Sequence, residues 1–524
     1  MSNPQSTSTP SNEHVVLFSH HAWGHTRPLC VLAQKLVQGR PLYVSFFVPK
    51  KSVDQVEAEL SRGFLSDESA LRSLIRVIGL DPDYEGHVPI TIVQRLSDAF
   101  ARAYEQMVEN SLIKCEHTGR IFEHIVAPKT VIFDFMCPSA LDAVRKFSKQ
   151  PVKALAWIAS QATWYWLFTA PSHRGGRGDF YDKVLAEAAR TGRPIPEVAD
   201  ELYTRVDGTL IHAPGIPPMY DYEFSPQQMP IRGLVGPFMM LVRRVFDGCD
   251  GVVISTAEAY ELEAVAEIRA WFAESNKDVY VVGPLLPGAT NPQALDGEQK
   301  QSQDAAEILT FMNKVLEEHG AKSLLYFSLG TVFWPATGPE KAWAVLDVIM
   351  QKNIPFIMSA ASPMAIIPAE IDRKVKEYGK GILSRWTPQQ TILSHPATGW
   401  FLTHAGQNST LESICAGLPM ICWPFNADQP TNAARLSSIL NVAYELFEVR
   451  TGDEGLRPLH RTGKAPRGTI EAVREEASYV LDNAFGSDGQ TKRANIEKLR
   501  DEVLGAWSEK GPARRDMEKL VAAL

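Results

Sequence analysis

The chain has 524 residues, of which 45% are hydrophobic and 22% are charged. These proportions are ordinary for globular proteins and exclude wholesale disorder, and the length allows about two to four domains. The formal net charge of −8 argues against a broad polyanion-binding surface, so we expect no nucleic-acid partner. The six cysteines form no C-x-x-C pair, which excludes an evident disulfide framework or zinc ribbon. The polar opening MSNPQSTSTPSNE has no basic region or apolar core, and we expect a cytoplasmic protein.

Short apolar β runs alternate with helical stretches along the first half of the chain. The predicted strands there are 14–19, 42–48, 130–133, 154–158, 251–255 and 279–282. The predicted helices include 27–39 and 139–147, and Pro28 falls in the first turn of the former, where a missing N–H costs nothing. This alternation predicts an α/β fold, with a parallel sheet covered by helices on both faces.

One apolar segment, 154–172, carries no charge and is long enough to reach across a bilayer. It is interrupted by polar residues such as Ser160, Gln161 and Thr163. We therefore predict a buried strand at 152–158, a loop and an apolar helix, and no transmembrane segment. The alternative is a surface that touches lipid or a greasy ligand.

A second series of the same kind follows, with predicted strands at 323–329, 355–358, 381–383, 399–403 and 418–422. The polar, turn-rich segment 287–304 separates the two series and is the predicted linker. The basic stretch 451–469 is predicted to be a surface loop, and the chain ends in an amphipathic helix at 513–524. The sequence thus predicts two doubly wound parallel-sheet halves. Ligands are expected at the carboxyl ends of the strands and in the cleft between the halves.

The segment 386–429 carries the strongest local signal. Its predicted strand ends in the loop HAGQNST, after which a helix begins. A loop containing Gly and Ser at a helix start offers free backbone N–H groups and the positive end of the helix dipole, which suit a diphosphate. Ser409 also fits as an N-cap, with Glu412 completing a capping box. On these residues alone, an ordinary capped helix explains the pattern equally well.

The whole of segment 386–429 resembles the donor-binding box of plant-type, family 1 UDP-dependent glycosyltransferases. The opening Trp386 and Gln389, the run HAGQNSTLES, the GLP and WP pairs and the closing Asp428-Gln429 all stand at the family's offsets. SLLYFSLGT at 323–331, VVGPL at 281–285, PGIPP at 214–218 and the tail helix are similar to further family segments. The resemblance implies two facing Rossmann-like domains, the GT-B architecture. Residues 1–285 would bind the acceptor and 286–512 the UDP-sugar, with helix 513–524 packing back on the first domain.

The resemblance also implies roles for the uridine and sugar contacts. Trp386 would stack on the uracil, and Gln389 would lie near the base edge and the ribose. The carboxylate of Glu412 would accept from the ribose hydroxyls, since it is a bidentate acceptor suited to a diol. Asp428 and Gln429 would bind the sugar hydroxyls. A Gln at this last position accompanies glucose donors in the family, which favours UDP-glucose over UDP-galactose or UDP-glucuronate.

The remaining donor residues implied by the resemblance surround the diphosphate. His404 would donate to the β-phosphate, and Asn408 and Ser409 would hold the α-phosphate. Gln407 stands where many plant members have Trp, so the donor contacts around it are expected to differ. Three more residues complete the implied loops: Gly330, Thr331 and Gly406.

The catalytic residues implied by the resemblance are His25, in the Gly-His of the first strand-end loop, and Asp134, which follows a later strand. A histidine with a carboxylate behind it is a suitable general base for an acceptor hydroxyl. The resemblance implies a single displacement that inverts the anomeric centre. No P-loop, G-x-G-x-x-G, H-E-x-x-H or G-x-S-x-G motif is present, so we expect no cofactor; the UDP-sugar is a co-substrate.

Two motifs raise the question of a metal. His20, His21 and His25 form an HHxxxH pattern, but adjacent histidines on an extended segment point to opposite faces, so at most one should join His25. Asp81-Pro82-Asp83 matches a D-x-D pattern within an evident turn. We therefore expect no metal site.

The acceptor is the least determined part of the prediction. Loops at 66–93 and 174–228 and the aromatic cluster 157–166 are expected to line its pocket, and the aromatic side chains indicate a lipophilic or aromatic acceptor or else plain core packing. The sequence thus predicts a monomeric, inverting UDP-sugar:small-molecule glycosyltransferase. The alternatives are a nucleotide-sugar epimerase or hydrolase of similar architecture, and a catalytically silent UDP-sugar-binding protein.

Overall fold

The computed structural model describes residues 13–84, 89–228, 235–286, 292–302 and 304–524. Its strands are β1 (His14–Phe18), β2 (Tyr43–Pro49), β3 (Ile75–Leu80), β4 (Ile113–Lys114), β5 (Ile121–Phe122), β6 (Thr130–Asp134), β7 (Lys153–Ile158), β8 (Leu210–Ile211), β9 (Met219–Tyr220), β10 (Gly251–Ile254), β11 (Asp278–Val281), β12 (Leu324–Ser328), β13 (Phe356–Ser359), β14 (Gly381–Ser384), β15 (Thr398–Thr403), β16 (Met420–Cys422) and β17 (Ala443–Glu445).

The helices of the first half are α1 (Trp23–Gly39), α2 (Val53–Gly63), α3 (Ser69–Arg72), α4 (Pro89–Val108), α5 (Pro138–Phe147), α6 (Ala162–Thr169), α7 (Phe180–Thr191), α8 (Ile195–Thr204), α9 (Val235–Gly248) and α10 (Leu262–Ala273). Those of the second half are α11 (Pro292–Lys300), α12 (Ala305–His319), α13 (Glu340–Gln351), α14 (Ala369–Tyr378), α15 (Gln389–Ser394), α16 (Gln407–Cys415), α17 (Gln429–Ala434), α18 (Gly452–Gly455), α19 (Ile470–Ala484), α20 (Ser487–Leu504) and α21 (Pro512–Ala523).

Two parallel sheets organise the described residues. The first has seven strands in the order β11-β10-β7-β6-β1-β2-β3, and the second has six in the order β14-β13-β12-β15-β16-β17. The strand order reverses between β1 and β6 in the first sheet and between β12 and β15 in the second. Ligands of open α/β sheets bind at such reversal points. The predicted α/β class with two Rossmann-like parallel sheets is confirmed.

The central strands are buried on both faces, which explains why the apolar runs located them to within two residues. β1 is fully buried along its length, as are β6 and β12. Two sheet strands that the sequence analysis did not predict lie at the edges: β3, whose run IRVIGL is interrupted by an arginine, and the three-residue β17. The hydrophobic pattern indicates both weakly, because a charged residue interrupts β3 and β17 is short.

Helix α1 begins at Trp23, four residues before the predicted start. Pro28 therefore lies inside the helix rather than in its first turn, and that prediction is wrong. A proline has no N–H, so the carbonyl four residues earlier, that of Gly24, loses its usual helical donor. The oxygen instead accepts a hydrogen bond from the second half of the chain, as described below.

The predicted linker 287–304 is largely helical rather than a turn-rich connector. Helix α11 occupies most of its described residues, and the buried carboxylate of Glu298 accepts hydrogen bonds from the backbone N–H groups of Gln390 and Thr391 at the start of α15. Residues 287–291 and 303 of that segment lie outside the described residues. Where the first domain ends therefore stays a prediction.

The predicted surface loop 451–469 is docked against the first half of the chain. The backbone N–H of Thr451 donates to the carbonyl of Pro226, and that of His460 donates to the carboxylate of Glu223. Leu459 is buried. Many of its other residues, such as 462–465, are exposed, so the segment lies at the surface as predicted and also contacts the first half of the chain.

The uncharged segment 154–172 contains buried β7 and α6, as the core interpretation predicts. The carboxylate of Glu261 accepts from the backbone N–H groups of Ala162 and Thr163, which satisfies two free donors at the start of α6. The aromatic side chains 164–166 are buried too, so they pack in the core. None of the helices in the described ranges combines the length and apolar character needed to cross a bilayer.

The terminal helix α21 packs against the first sheet. The Oδ2 atom of Asp516 accepts from the backbone N–H of Val281, 2.9 Å away, and from the guanidinium of Arg269, 2.8 Å away. Met517 and Leu520 of the same helix belong to the hydrophobic core of the first half. The chain thus crosses back from the second half to the first before it ends.

Candidate active site

His25 and Asp134 come together at the reversal point of the first sheet. His25 lies in the first turn of α1, just after β1, and Asp134 is the last residue of β6. The Nδ1 atom of His25 lies 2.7 Å from Oδ2 of Asp134. The other carboxylate oxygen accepts from the backbone N–H of Met136 at 2.9 Å. The Asp134 side chain is fully buried, whereas 24% of the His25 side chain remains exposed.

The surroundings of His25 favour its protonated form. Burial lowers the pKa of His25, but the charge and hydrogen bond of Asp134 and the more distant charge of Asp428 outweigh burial and raise that pKa above its usual value. The indole Nε1 of Trp157 donates to the His25 carbonyl, which fixes the first turn of α1. The ring is therefore held in one orientation, with a carboxylate behind it.

His20 and His21 both lie near His25, contrary to the prediction that adjacent histidines diverge. The ring centroids of His20 and His21 are 4.1 Å apart, and those of His20 and His25 are 4.8 Å apart. The backbone turns here instead of continuing as a strand, so the alternation rule does not apply. Burial lowers the pKa of His21 to about 4 and that of His20 well below its usual value. Within the described residues, no group of three or more His, Cys, Asp or Glu side chains is arranged to hold a metal.

The D-x-D segment forms a turn after β3, as predicted. The backbone N–H of Asp83 donates to Oδ1 of Asp81, and Asp83 has a positive φ of 48°. The ammonium of Lys50 pairs with the Asp81 carboxylate. The Asp81 carboxylate is therefore engaged by its own turn and by Lys50.

His404 occupies a slot between two glycines at the reversal point of the second sheet. A Cβ atom on Gly330 would come within 2.7 Å of the imidazole, and one on Gly406 within 2.6 Å of its Nε2 atom. Gly330 also has a positive φ of 80°. Burial lowers the pKa of His404 to about 4, so the ring is neutral at pH 7. Thr331 follows Gly330 and is half-buried.

Helix α16 starts at Gln407 with Gly406 as its N-cap, so the predicted capping box of Ser409 and Glu412 is wrong. Ser409 is already the third helical residue, and its hydroxyl accepts from the Gln389 side chain at 3.3 Å. The first backbone N–H groups of a helix have no intrahelical acceptor, and that of Gln407 donates to the carboxylate of Asp428. This is the arrangement expected of an anion-binding helix start.

Asn408 joins this loop to helix α1, which carries His25. Its Nδ2 atom donates to the carbonyl of Gly24 at 2.5 Å. That carbonyl is the one left without a helical donor by Pro28. A residue predicted to hold the α-phosphate is therefore in direct contact with the residue that precedes His25.

Glu412 is held by protein groups rather than left free for a ribose. Its Oε1 atom accepts from the guanidinium of Arg27 in α1 at 2.5 Å and from Gln390 at 3.1 Å, and its Oε2 atom accepts from Gln389 at 2.5 Å. The side chain is 2% exposed. A ribose would have to share or displace one of these donors.

The side chains at the end of the segment are also engaged. Asp428 accepts from the backbone N–H of Gln161 at 3.2 Å, and burial raises its pKa to about 6. The amide oxygen of Gln429 accepts from the backbone N–H of Phe425 at 2.8 Å and so holds its own loop. Gln407 donates to the hydroxyl of Thr256 at 2.9 Å, which connects this loop to the first half.

Trp386 is the most exposed of the predicted donor residues with a large side chain, at 40%. Its backbone is fixed because the hydroxyls of Ser384 and Ser302 both donate to its carbonyl. The indole is thus presented at the surface by a rigid backbone, as a stacking platform requires.

Known proteins resemble this chain over its full length. A family model described as UDP-glucoronosyl and UDP-glucosyl transferase matches residues 237–454. The UDP-glycosyltransferase eriJ of Hericium erinaceus is 31% identical over 521 residues, which cover 96% of this chain and 97% of that protein. The chain belongs to the UDP-glycosyltransferase family.

Solved structures of this family share its fold. The UGT71G1 structure of Medicago truncatula, complexed with UDP-glucose, covers 98% of each chain with a TM-score of 0.66 and 21% identity. The UGT2 structure of Phytolacca americana, complexed with UDP-2fluoro-glucose and pterostilbene, covers 98% of this chain and 99% of that one, with a TM-score of 0.64 and 19% identity. This UDP-glycosyltransferase therefore has the GT-B architecture.

Several polar residues of this UDP-glycosyltransferase's cleft were not identified from its sequence. Arg27, Gln390 and Glu298 surround Glu412, and Gln161 touches Asp428. Both polar atoms of the Gln161 amide are buried without a hydrogen-bond partner in the described part of the chain. A signal existed for Arg27, which follows His25 by two residues in a helix at the cleft, but its partner Glu412 is far away in sequence.

Proposed function

We propose that the enzyme transfers a sugar from a UDP-sugar to a hydroxyl group of a small acceptor, with inversion at the anomeric carbon. The observation that carries the proposal is the 2.7 Å contact between His25 Nδ1 and Asp134 Oδ2 at one reversal point, facing the helix start of α16 at the other. His25 is the general base, and Asp134 orients it. The donor lies against the second half, and the acceptor lies against the first.

The reaction needs a neutral His25 whose Nε2 atom can take a proton. Because Nδ1 donates to Asp134, Nε2 carries the free lone pair. It removes the proton from the acceptor hydroxyl as the oxygen attacks the anomeric carbon, and the bond between that carbon and the diphosphate oxygen breaks. The charge that develops on the leaving diphosphate is stabilised by the N–H groups at the start of α16 and by a hydrogen bond from His404.

The proposed donor contacts are those that the sequence resemblance implies, and at Glu412, Asp428 and Gln429 the donor would share or displace present protein partners. The exposed face of Trp386 accepts the uracil, and Gln389 and Glu412 lie beside the ribose. Asp428 and Gln429 bind the sugar, which we propose is glucose; the Medicago truncatula relative was solved with UDP-glucose. We propose no metal and no further cofactor. The acceptor is a lipophilic or aromatic alcohol, and the enzyme acts in the cytoplasm as a monomer.

The test compares His25→Ala with the control His173→Ala. His173 lies between α6 and α7, and 65% of its side chain is exposed. Each protein is incubated with UDP-glucose and a panel of phenols, sterols and hydroxy-lipids, and products are read by mass spectrometry. We expect transfer by the parent and by His173→Ala, and a loss of about 10²–10⁴-fold for His25→Ala, the usual contribution of a general base. A folded His25→Ala protein with full activity would remove His25 from the mechanism.

The same incubations without an acceptor address the alternative reactions. A nucleotide-sugar epimerase or hydrolase would consume UDP-glucose in the absence of any alcohol, whereas a transferase would not. Absence of turnover across the whole panel would favour a silent UDP-sugar-binding protein. The presence of a bonded His25–Asp134 pair argues against that last alternative.

A further inference from the structure

A cavity of about 580 Å³ lies in the first half, between α7, α8 and α9 and the end of α6. Its volume is within the range of small-molecule sites. None of the predicted catalytic or donor residues lines it. It is thus separate from the proposed catalytic and donor contacts, although much of its lining belongs to segment 174–228, which was expected to border the acceptor.

The inner wall of the cavity is apolar and aromatic. Phe168, Phe180, Leu202, Tyr203 and Met239 line it. The rings of Phe180 and Tyr203 pack edge to face, with centroids 5.8 Å apart, so this wall is rigid. Such a surface suits the hydrocarbon or ring system of an organic ligand.

The rest of the lining is rich in positive charge. Five of its residues are cationic: Arg177, Lys183, Arg190, Arg205 and Arg243. The lining also contains two carboxylates, and the structure pairs both of them with arginines. Glu187 lies 2.6 Å from Arg190, and Glu201 lies 2.5 Å from Arg193.

Three of the five cations have no carboxylate of their own. Arg243 pairs with Asp247 at 2.7 Å, but Arg177, Lys183 and Arg205 form no close ion pair within the described ranges, although Asp179 lies near Lys183 and Asp207 near Arg205. Arg177 is half-buried and its guanidinium lies 6.0 Å from the centroid of the Phe168 ring. Unpaired cations therefore border directly on the apolar wall.

We propose that this cavity binds an amphiphilic organic anion. The apolar body packs against Phe168, Phe180 and Met239, and a carboxylate, sulfate or phosphate group is held by Arg177 and Lys183. Arginine is suited to this because its planar donors match the oxygens of such groups. The ligand is either the acidic end of an extended acceptor or a separate molecule.

The test uses two fluorescent probes with the same ring system on the full chain. One is 8-anilinonaphthalene-1-sulfonate, and the other is N-phenyl-1-naphthylamine, which lacks the sulfonate. The double variant Arg177→Gln/Lys183→Gln should weaken binding of the sulfonate by about fivefold or more, because charge-assisted hydrogen bonds are lost, and leave the neutral probe unchanged. The control variant Arg514→Gln, which removes an exposed arginine that pairs with Glu518 and does not line the cavity, should change neither.

The opposite results would overturn the proposal. These are equal binding of the sulfonate to the parent and the double variant, or an equal loss of both probes in a protein whose near-UV circular dichroism is unchanged. A second variant, Leu202→Trp, should reduce binding of both probes by filling the cavity, and unchanged binding there would place the probe elsewhere.

A competition experiment distinguishes the two sources of the ligand. The competitor is an alcohol that the enzyme glycosylates and that carries an acidic group. It displaces the sulfonate probe if the acceptor extends into the cavity, and it does not if the cavity binds a separate molecule. Both results assign the anion site to one of its two sources. Probe binding needs no UDP-sugar, so a protein inactive in transfer would still support or overturn this proposal independently.

Discussion

Replacing Arg27 by methionine should destabilise the fold by about 3–5 kcal/mol, the usual cost of removing one partner from a buried ion pair. The guanidinium lies among three carboxylates: Glu412 at 2.5 Å, Glu59 at 2.9 Å and Glu298 at 3.8 Å. All three side chains are at most 10% exposed. Methionine retains the apolar stem but leaves these charges in a region that water reaches poorly.

The loss should depend on pH in a defined direction. In the parent, burial raises the pKa of Glu59, but Arg27 and Arg62 outweigh it and lower that pKa, so this carboxylate stabilises the fold above its unfolded pKa and less as the pH falls. Burial already raises the pKa of Glu298, although Arg27 opposes it. Without Arg27 the pKa values of Glu59 and Glu298 rise relative to those in the parent. The folded variant then gains protons that the folded parent lacks, and its deficit shrinks towards low pH.

Urea unfolding followed by tryptophan fluorescence at pH 8 and pH 5.5 measures both effects. We expect the deficit at pH 5.5 to be smaller by about 1 kcal/mol or more, which corresponds to one carboxyl pKa raised by about one unit. The matched control is Arg514→Met, which removes an exposed i,i+4 pair with Glu518 and should cost about 0.5 kcal/mol or less. A loss below about 1 kcal/mol for Arg27→Met at pH 8, or one that grows towards pH 5.5, would refute this reasoning.

Three further predictions concern the cleft and the tail. His25 must be neutral to accept a proton and its pKa is raised, so kcat/KM should fall as the pH drops through that pKa. In a pH–rate profile, Asp134→Asn should move this fall to lower pH and should also lower the maximal kcat/KM. Asn408→Ala should cost about 1–2 kcal/mol in urea unfolding, since a carbonyl in α1 loses its donor, and should raise KM for the UDP-sugar; an unchanged KM would argue against donor contact. Asp516→Ala should lower the free energy of unfolding by about 2–3 kcal/mol, because two charge-assisted hydrogen bonds are lost. Glu518→Ala, which changes an exposed residue of the same helix, should not lower it. Equal stabilities of the two variants would contradict the docking contact.

The sequence was informative wherever a signal was local. Apolar runs located the central strands, and the residues that follow them, such as His25 and His404, lie at the reversal points of the sheets. The His25–Asp134 contact was expected from a motif resemblance, and the structure contains it. Positions near strand ends are predictable in this way because a buried parallel strand needs a nearly continuous apolar run.

Predictions failed where distant residues override a local rule. The rule that places proline in the first helical turn misplaced the start of α1, because Pro28 is tolerated inside the helix when the freed carbonyl finds another donor. The capping rule misplaced the start of α16, where Gly406 takes the N-cap position. Glu412 pairs with a residue 385 positions away, and no local pattern indicates such a contact.

The proline inside α1 has a consequence for engineering this enzyme. Pro28→Ala, a change usually made to stabilise a helix, would supply an N–H that competes with Asn408 for the Gly24 carbonyl. The helix would become more regular, and the hydrogen bond from Asn408 to the Gly24 carbonyl would be weakened. A substitution chosen by helix propensity alone would therefore stabilise α1 and weaken the connection between the two halves of the cleft.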